Sequence, residues 1–565
     1  MLEINPDSAF SQSQTTAFNF NGSELIDPRS FATNPSRSFA RSSDLMVFDS
    51  NYTNTDDLIL HGTVDRDCLK GGKGDDKLYG LAGDDWLKGG RGDDTLIGGT
   101  DDDRLVGGKG NDILIDYDGG DRMTGGRGSD QFWLATWDLP TTPSAITDFK
   151  IGTDQIKIGR LGVTFDDLTI RTSRRGAIIK DQDEVLALLC NVDASRLRAD
   201  SFVFGNPELA TQLQTALDDS VNQSGAVGAS NAVITPDGFT WKGATGAADL
   251  TKQTPLQTDD LFNIASITKT FTAATVLKLV EQGHLNLEDT LGKWLPEIAA
   301  KIPQGENITL RQLLDGTSGI YNYTESPQWQ FDAIADFSNG ATKDWKPEEL
   351  VAYTYGQPRF SGLSSSPIWT YPNTGNILAG LVVEATGSSF ASVMREQVFE
   401  PLGLDHTFFG EEIVGNRARG YEDLLNADGS IGQDGVLEDF TDFNPTLTWA
   451  TGAVVSNAQD VARFSQALFG GELLKSESLN QMLRFVDQGI PFEGDQYGLG
   501  VARYATPFGD LWSKGGSIFG YRSLMGYFPQ QQGATNVVLV NGIGTRDPLV
   551  PIVNASINAL QTEFS

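Results

Sequence analysis

Between Gly62 and Trp133 the apolar positions recur with a period of nine. Cut from Gly62, the chain reads GTVDRDCLK, GGKGDDKLY, GLAGDDWLK, GGRGDDTLI, GGTDDDRLV, GGKGNDILI, DYDGGDRMT and GGRGSDQFW. Position 8 is apolar in every unit: Leu69, Leu78, Leu87, Leu96, Leu105, Leu114, Met123 and Phe132. Position 6 is Asp in every unit: Asp67, Asp76, Asp85, Asp94, Asp103, Asp112, Asp121 and Asp130. Glycines at positions 1, 2 and 4 permit positive φ, so six residues can turn tightly. The next three then form a short strand with position 8 pointing inward. Successive strands are expected to stack as a parallel solenoid whose core is that single apolar column. The roll is expected to occupy 44–133. Residues 134–205 alternate apolar and polar positions between Gly and Asp turns, which predicts a β-rich cap over the open sheet edge. Residues 1–43 are Ser/Thr/Asn-rich without a period and read as a mobile polar leader.

From about Pro207 the pattern changes. PELATQLQTALDDSVNQ has helical spacing, and SNAVITPDGFTWKGATGAAD reads as a hairpin turning at Asp237–Gly238. A helix is predicted from Ser266 to about Gln282, with Gly283 as its stop. A second apolar helix follows Tyr371-Pro372-Asn373. Strands are predicted around Lys514-Gly515-Gly516, MGYFP and TNVVLVNGIG. Residues 206–565 thus read as one α/β domain, and the chain as multidomain.

Composition narrows the function. The 565 residues leave room for about three to four domains. Formal net charge is -33, from 42 bases and 75 acids, which argues against a nucleic-acid partner because phosphate contacts need basic excess. The acidity is not concentrated in the repeats: 62–133 carries 16 acids and 10 bases, whereas 206–565 carries 41 acids and 20 bases. The glycine excess is local, with 19 of 63 in the repeats. Two cysteines make no disulfide framework; Cys190 lies in an apolar run and reads as a buried thiol, and a bond to Cys68 has nothing to support it. Three dispersed histidines make no zinc site. No apolar run approaches the length of a transmembrane helix, and no Sec-type signal peptide is visible at the N-terminus.

The repeat pattern suits calcium. Aligned turns present carbonyl oxygens and position-6 carboxylates, which are hard oxygen donors, and without a cation the carboxylates would repel. The run resembles the RTX nonapeptide repeat, and this implies a calcium-binding β-roll with Asp67, Asp76, Asp85, Asp94, Asp103, Asp112, Asp121 and Asp130 as ligands. The resemblance also implies an extracellular setting and leaderless export by a type I secretion machinery. The repeats of that family usually follow the enzyme; here they precede it.

Ser266 and Lys269 are three residues apart at the start of a predicted helix, so they share a face, and the serine sits at the positive end of the helix dipole. A lysine activates a serine only in neutral form; bringing its ordinary pKa of about 10.4 to neutrality costs about 4 kcal/mol, supplied by burial and a neighbouring cation. No G-x-S-x-G elbow occurs, so an α/β-hydrolase triad has no visible nucleophile, and His284 and His406 read as structural. The order S-x-x-K, Tyr371-x-Asn373, Lys514-x-Gly516 resembles the penicillin-recognising serine hydrolases, closest to the class C β-lactamase and D-alanyl-D-alanine carboxypeptidase branch. Supporting strings are ITLRQLLDGTSGI, FEPLGLDHTFF and ATGAVVSNAQDVARF.

That resemblance implies an antiparallel sheet flanked by helices beside a mostly helical lobe, with the site at their junction. It implies Ser266 as nucleophile, Lys269 and Tyr371 as a shared general base, and Asn373 on the substrate amide. It implies Lys514 as the positive charge that keeps Tyr371 acidic and attracts a substrate carboxylate, Gly516 and Ser517 as substrate-binding residues, and the backbone N–H groups of Ser266 and Ser517 as the oxyanion hole. The substrate would be a small molecule or peptide with an ester, amide or β-lactam carbonyl; no cofactor enters the chemistry. Gly515 stands where close relatives carry a hydroxyl, which ranks D-Ala-D-Ala-type peptides, esters and amides above β-lactams. Gly316 stands where relatives often have His, and Thr317–Gly319 reads as a turn. The non-enzyme alternative is a calcium-binding structural or adhesive protein with a retired hydrolase domain; intact Ser266 and Lys269 argue against it.

Overall fold

The computed structural model describes residues 56–564, except 135, 138–139, 141, 339, 341–342, 360–368, 410–412, 425–433, 488–495, 507 and 543–548. The expected leader 1–43 lies outside the described residues.

The repeats form short parallel strands: β1 Ile59–His61, β2 Cys68–Gly72, β3 Lys77–Leu81, β4 Trp86–Arg91, β5 Thr95–Gly99, β6 Arg104–Lys109, β7 Ile113–Ile115, β8 Arg122–Arg127 and β9 Gln131–Leu134. Odd strands build one sheet and even strands another. Each strand pairs with the one 18 residues away: Leu69 with Leu87 with Leu105, and Leu78 with Leu96 with Leu114. One coil therefore takes two nonapeptides. This corrects the expected single column: position-8 residues form two columns, one per sheet, all fully buried in one shared core. Two facing columns give each residue apolar partners across the core as well as along its own sheet, which is how so sparse a repeat sustains a core.

The glycine positions also differ in kind. Position 2 takes positive φ, as at Gly90 (+130°). Position 1 does not; there a Cβ on Gly71 would fall 2.1 Å from Oδ2 of Asp76, so this glycine serves close approach rather than left-handed backbone. In one unit position 2 is Leu81, which adopts φ +84° at a cost of about 1–2 kcal/mol for an L-residue.

Beyond the repeats, β10 (Ser144–Ile146) and β14 (Glu184–Cys190) continue the even sheet in parallel. β11 (Gln155–Ile158) and β15 (Phe202–Phe204) continue the odd sheet. β12 (Leu168–Thr172) and β13 (Gly176–Asp181) close the even sheet antiparallel. Cys68 and Cys190 are free, with four strands between β2 and β14, and Cys190 is half-buried rather than buried as expected.

The second half is built on a nine-stranded antiparallel sheet. Its order is Thr254–Pro255, β17 (Thr240–Asp249), β16 (Gly228–Ile234), Ala534–Asn541, Tyr521–Phe528, Gly509–Ile518, Ala502–Thr506, Gln496–Tyr497 and Val486–Asp487. The hairpin β16–β17 turns at Asp237–Gly238 as expected. Helix α1 (Pro207–Ser224) and the C-terminal helix Leu549–Phe564 cover one face through Leu209, Leu213, Leu217, Ile552 and Ile557. Helix α2 (Thr268–Glu281), the Asn373–Glu384 and Ala458–Phe469 helices and a helical lobe cover the other. Strand Gly509–Ile518 and the start of α2 meet at the junction.

Candidate active site

The nucleophile turn is built before the helix begins. Asn263 Oδ1 accepts the Ala265 N–H at 2.8 Å, and Ala265 takes φ +48°, a left-handed conformation costing about 1–3 kcal/mol. Ser266 follows in a 3₁₀ turn, Ala265–Ile267, that leads into α2. The sheet is pinned to this turn: Ser523 Oγ donates to the Ile264 carbonyl at 2.7 Å. Gly516 makes the approach possible, since a Cβ there would lie 2.3 Å from Ser523 Oγ and 2.5 Å from that carbonyl oxygen.

Lys269, in the first turn of α2, has no exposed surface. Its Nζ donates to Ser266 Oγ at 2.9 Å and to the Thr451 carbonyl at 2.9 Å, and lies 4.8 Å from the centroid of the Tyr371 ring. Lys514, equally buried on strand Gly509–Ile518, places its Nζ 5.1 Å from the same centroid and donates to the Gly515 carbonyl at 3.1 Å. Two lysine side-chain nitrogens therefore lie within about 5 Å of the centre of one phenol ring. Trp369 braces that ring edge-on at 6.1 Å and stacks edge-on against Tyr497, over which Lys514 also lies.

Asn373 opens the Asn373–Glu384 helix; its Nδ2 donates to Asn322 Oδ1 (3.1 Å) and Thr324 Oγ1 (3.0 Å). Ser266, Tyr371, Asn373, Gly516 and Ser517 line one cavity of about 670 Å³, with Lys269 and Lys514 behind its wall. Trp329, Phe443 and Phe519 add an apolar side, and Glu422 pairs with Arg522 at 3.1 Å. The seven residues singled out from the sequence are thus brought together. The Thr451 carbonyl, Asn322, Thr324, Trp369 and Tyr497 were not foreseen. Thr451 acts through its backbone, which carries no side-chain signal, and the others approach only through the fold. His284 and His406 are exposed and away from this cavity.

The repeat aspartates do not converge. They form two ladders, Asp67–Asp85–Asp103–Asp121 and Asp76–Asp94–Asp112–Asp130, and among the described residues no three His, Cys, Asp or Glu side chains gather as a metal cluster. From Asp85 to Asp130, one oxygen of each accepts the backbone N–H of the aspartate 18 residues earlier, as in Asp67 N to Asp85 Oδ1 at 2.6 Å. In Asp76, Asp85, Asp94, Asp103, Asp112, Asp121 and Asp130 the other oxygen, Oδ2, is buried without a hydrogen-bond partner. Burial pushes Asp85 up to about 8 and Asp103 up to about 9. A buried carboxylate oxygen with no donor is costly unless a cation meets it. Such an oxygen in seven of the eight repeats, with Lys150 Nζ 3.9 Å from that of Asp130, fits a hard oxygen-binding ion such as Ca²⁺.

The Beta-lactamase family profile matches residues 213–553, and the RTX calcium-binding nonapeptide repeat matches 61–96 and 97–132. The chain belongs to the Beta-lactamase family and carries RTX repeats ahead of that domain. It is 28% identical over 289 residues to Penicillin-binding protein 4* of Bacillus subtilis, covering 50% of this chain and 60% of that one. It is 28% identical over 214 residues to Esterase EstB of Burkholderia gladioli, covering 37% and 54%. Each match spans less than two thirds of the relative's own length. Among solved structures, a D-stereospecific amidohydrolase from Streptomyces sp. superposes with TM-score 0.54 at 29% identity, covering 61% of this chain and 98% of that one. No helix among the described residues is long and apolar enough to cross a membrane.

Proposed function

We propose that this chain is a serine hydrolase that acylates itself on Ser266, cleaves small amides or esters, and carries calcium in its repeat roll outside the cell. The observation that carries the reading is the contact of Lys269 Nζ with Ser266 Oγ at 2.9 Å, with the Tyr371 ring within reach of both Lys269 and Lys514. Lys269 and Tyr371 share the base role as a coupled pair. The positive charge of Lys514 beside the Tyr371 ring favours its phenolate, so Tyr371 as phenolate or Lys269 in neutral form can take the Ser266 proton. Oγ then attacks the carbonyl carbon, and the backbone N–H groups of Ser266 and Ser517 receive the oxyanion, a contribution of about 3–4 kcal/mol. The leaving amine or alcohol takes the proton, and water hydrolyses the acyl-Ser266 ester. With Asn373 Nδ2 held by Asn322 and Thr324, its Oδ1 is the group that accepts from a substrate amide N–H.

The substrate order follows from two features. Gly515 offers no hydroxyl to a substrate carboxylate, which disfavours β-lactams and leaves amides and esters. Trp329, Phe443 and Phe519 suit an apolar acyl side chain. The Streptomyces structure of a D-stereospecific amidohydrolase and the EstB likeness support this choice. For the roll, calcium would be held by the buried Oδ2 atoms of Asp76, Asp85, Asp94, Asp103, Asp112, Asp121 and Asp130 with turn carbonyls, and Asp67 heads the first ladder. We place the roll at 56–133 of the expected 44–133, residues 44–55 lying outside the described residues, its cap at 134–205 and the hydrolase at 206–565, with export by a type I machinery.

The test is intact-mass analysis of the calcium-replete chain treated with a fluorophosphonate. An adduct on Ser266 that disappears in Ser266→Ala is expected. A chain that stays unlabelled has no activated serine, and the reading falls.

A further inference from the structure

The roll is not a separate appendage. The outward positions of its odd sheet carry His61, Tyr79, Ile97, Ile115 and Trp133, whereas the same positions of the even sheet carry Lys70, Lys88, Val106 and Thr124. Tyr79, Leu81, Ile97 and Ile115 are buried in the same apolar cluster as α2 and the Ala458–Phe469 helix. Leu81 is the position-2 residue that replaces glycine despite positive φ, and its side chain is 2% exposed in that cluster. Polar contacts seal the junction. His61 Nε2 meets the Gly471 carbonyl at 2.6 Å, and Thr240 Oγ1 donates to the Thr136 carbonyl. Lys157 donates to the Asp237 carbonyl and lies over the Trp133 ring. At the centre, Arg463 and Glu472 form a two-pronged ion pair, both under 10% exposed, with the Tyr117 ring 4.2 Å from the guanidinium carbon.

A buried ion pair loses its setting when one covering side is removed. Arg463 sits on the Ala458–Phe469 helix. From its end, Phe469 packs on Trp512 at 5.7 Å, two residues before Lys514 on the same strand. The junction is thus contiguous with the strand that forms one wall of the site.

We infer that the odd-sheet face of the roll is a built docking surface for the hydrolase lobe of the same chain, so that calcium in the roll sets the stability of the lobe that carries Ser266. The coupling rests on the calcium reading above, and its test separates the two. Hydrogen exchange is followed by mass spectrometry on the full chain with calcium and with EGTA. In the wild type, EGTA should speed exchange in β2–β9 and, together with it, in 458–474, by tenfold or more. Ile97→Lys places on the odd face the residue that Lys70 and Lys88 show the even face accepts; Ile97→Thr, matching Thr124, is the milder form. In either variant calcium should still protect the roll strands while 458–474 loses its calcium response. If EGTA opens the roll of the wild type and leaves 458–474 unchanged, the coupling is wrong and the calcium reading stands. If EGTA changes neither region, the calcium reading itself fails and takes the coupling with it. A variant whose 458–474 segment responds as the wild type does also overturns the docking surface.

Discussion

At the scale of single residues, the site is decided by what each position excludes. Gly516 and Gly515 are neighbours in one motif, yet a Cβ on Gly516 would collide with Ser523 Oγ and the Ile264 carbonyl, while one on Gly515 meets nothing closer than 3.8 Å. Gly516→Ala must therefore push the nucleophile turn from the sheet, and steady-state kinetics should show at least a tenfold loss of kcat/KM, with about 1–3 kcal/mol of stability lost. Gly515→Ala should keep the fold and most of the activity. Equal behaviour of the two variants would contradict the geometry. The motif K-x-G was legible in the sequence. The reason its last glycine is required was not, because Ser523 and Ile264 reach it only across strands.

At the scale of elements, the period of nine announced the parallel strands and the inward residue of each, but not that a coil consumes two units. Local spacing cannot tell one column from two; the pairing at 18 residues does. This gives position 8 two-sided packing. Leu105→Ala, in the fully buried even column, should cost about 2–5 kcal/mol and raise the calcium concentration at which β-strand circular dichroism appears. EGTA alone should remove that signal from the wild type's roll. A calcium midpoint indifferent to Leu105→Ala would mean that the column and the ion do not stabilise the same state.

At the scale of the whole molecule, the junction adds a pH dependence. Burial lowers the pKa of His61 below its ordinary 6.5; the Gly471 carbonyl, Glu281 and Glu472 oppose this, and Lys278 assists it. The unfolded chain takes up the His61 proton near pH 6.5, the folded chain only at lower pH. The His61 contribution is therefore complete above pH 6.5 and is lost as pH falls from there through the lowered folded value. Urea unfolding of the full chain should show a steeper loss of stability between about pH 7 and pH 5.5 in the wild type than in His61→Gln, which can keep a donor for Gly471. Parallel curves would remove His61 from the junction's energetics. The alternation behind this junction, His61, Tyr79, Ile97, Ile115, Trp133 against Lys70, Lys88, Val106, Thr124, is visible once the repeat is read in steps of 18. In steps of nine it averages out.

The sequence by itself determined the repeat and its buried position, the three-residue spacing that pairs Ser266 with Lys269, and the order of the three site motifs, because each is read along the chain without knowing which segments meet. Tertiary structure alone decided which face of the roll is covered, how Thr451, Asn322, Thr324 and Trp369 hold the site residues, and why Gly516 and Leu81 stand where they do. Those are contacts between segments distant in sequence, and no local period encodes which surfaces meet.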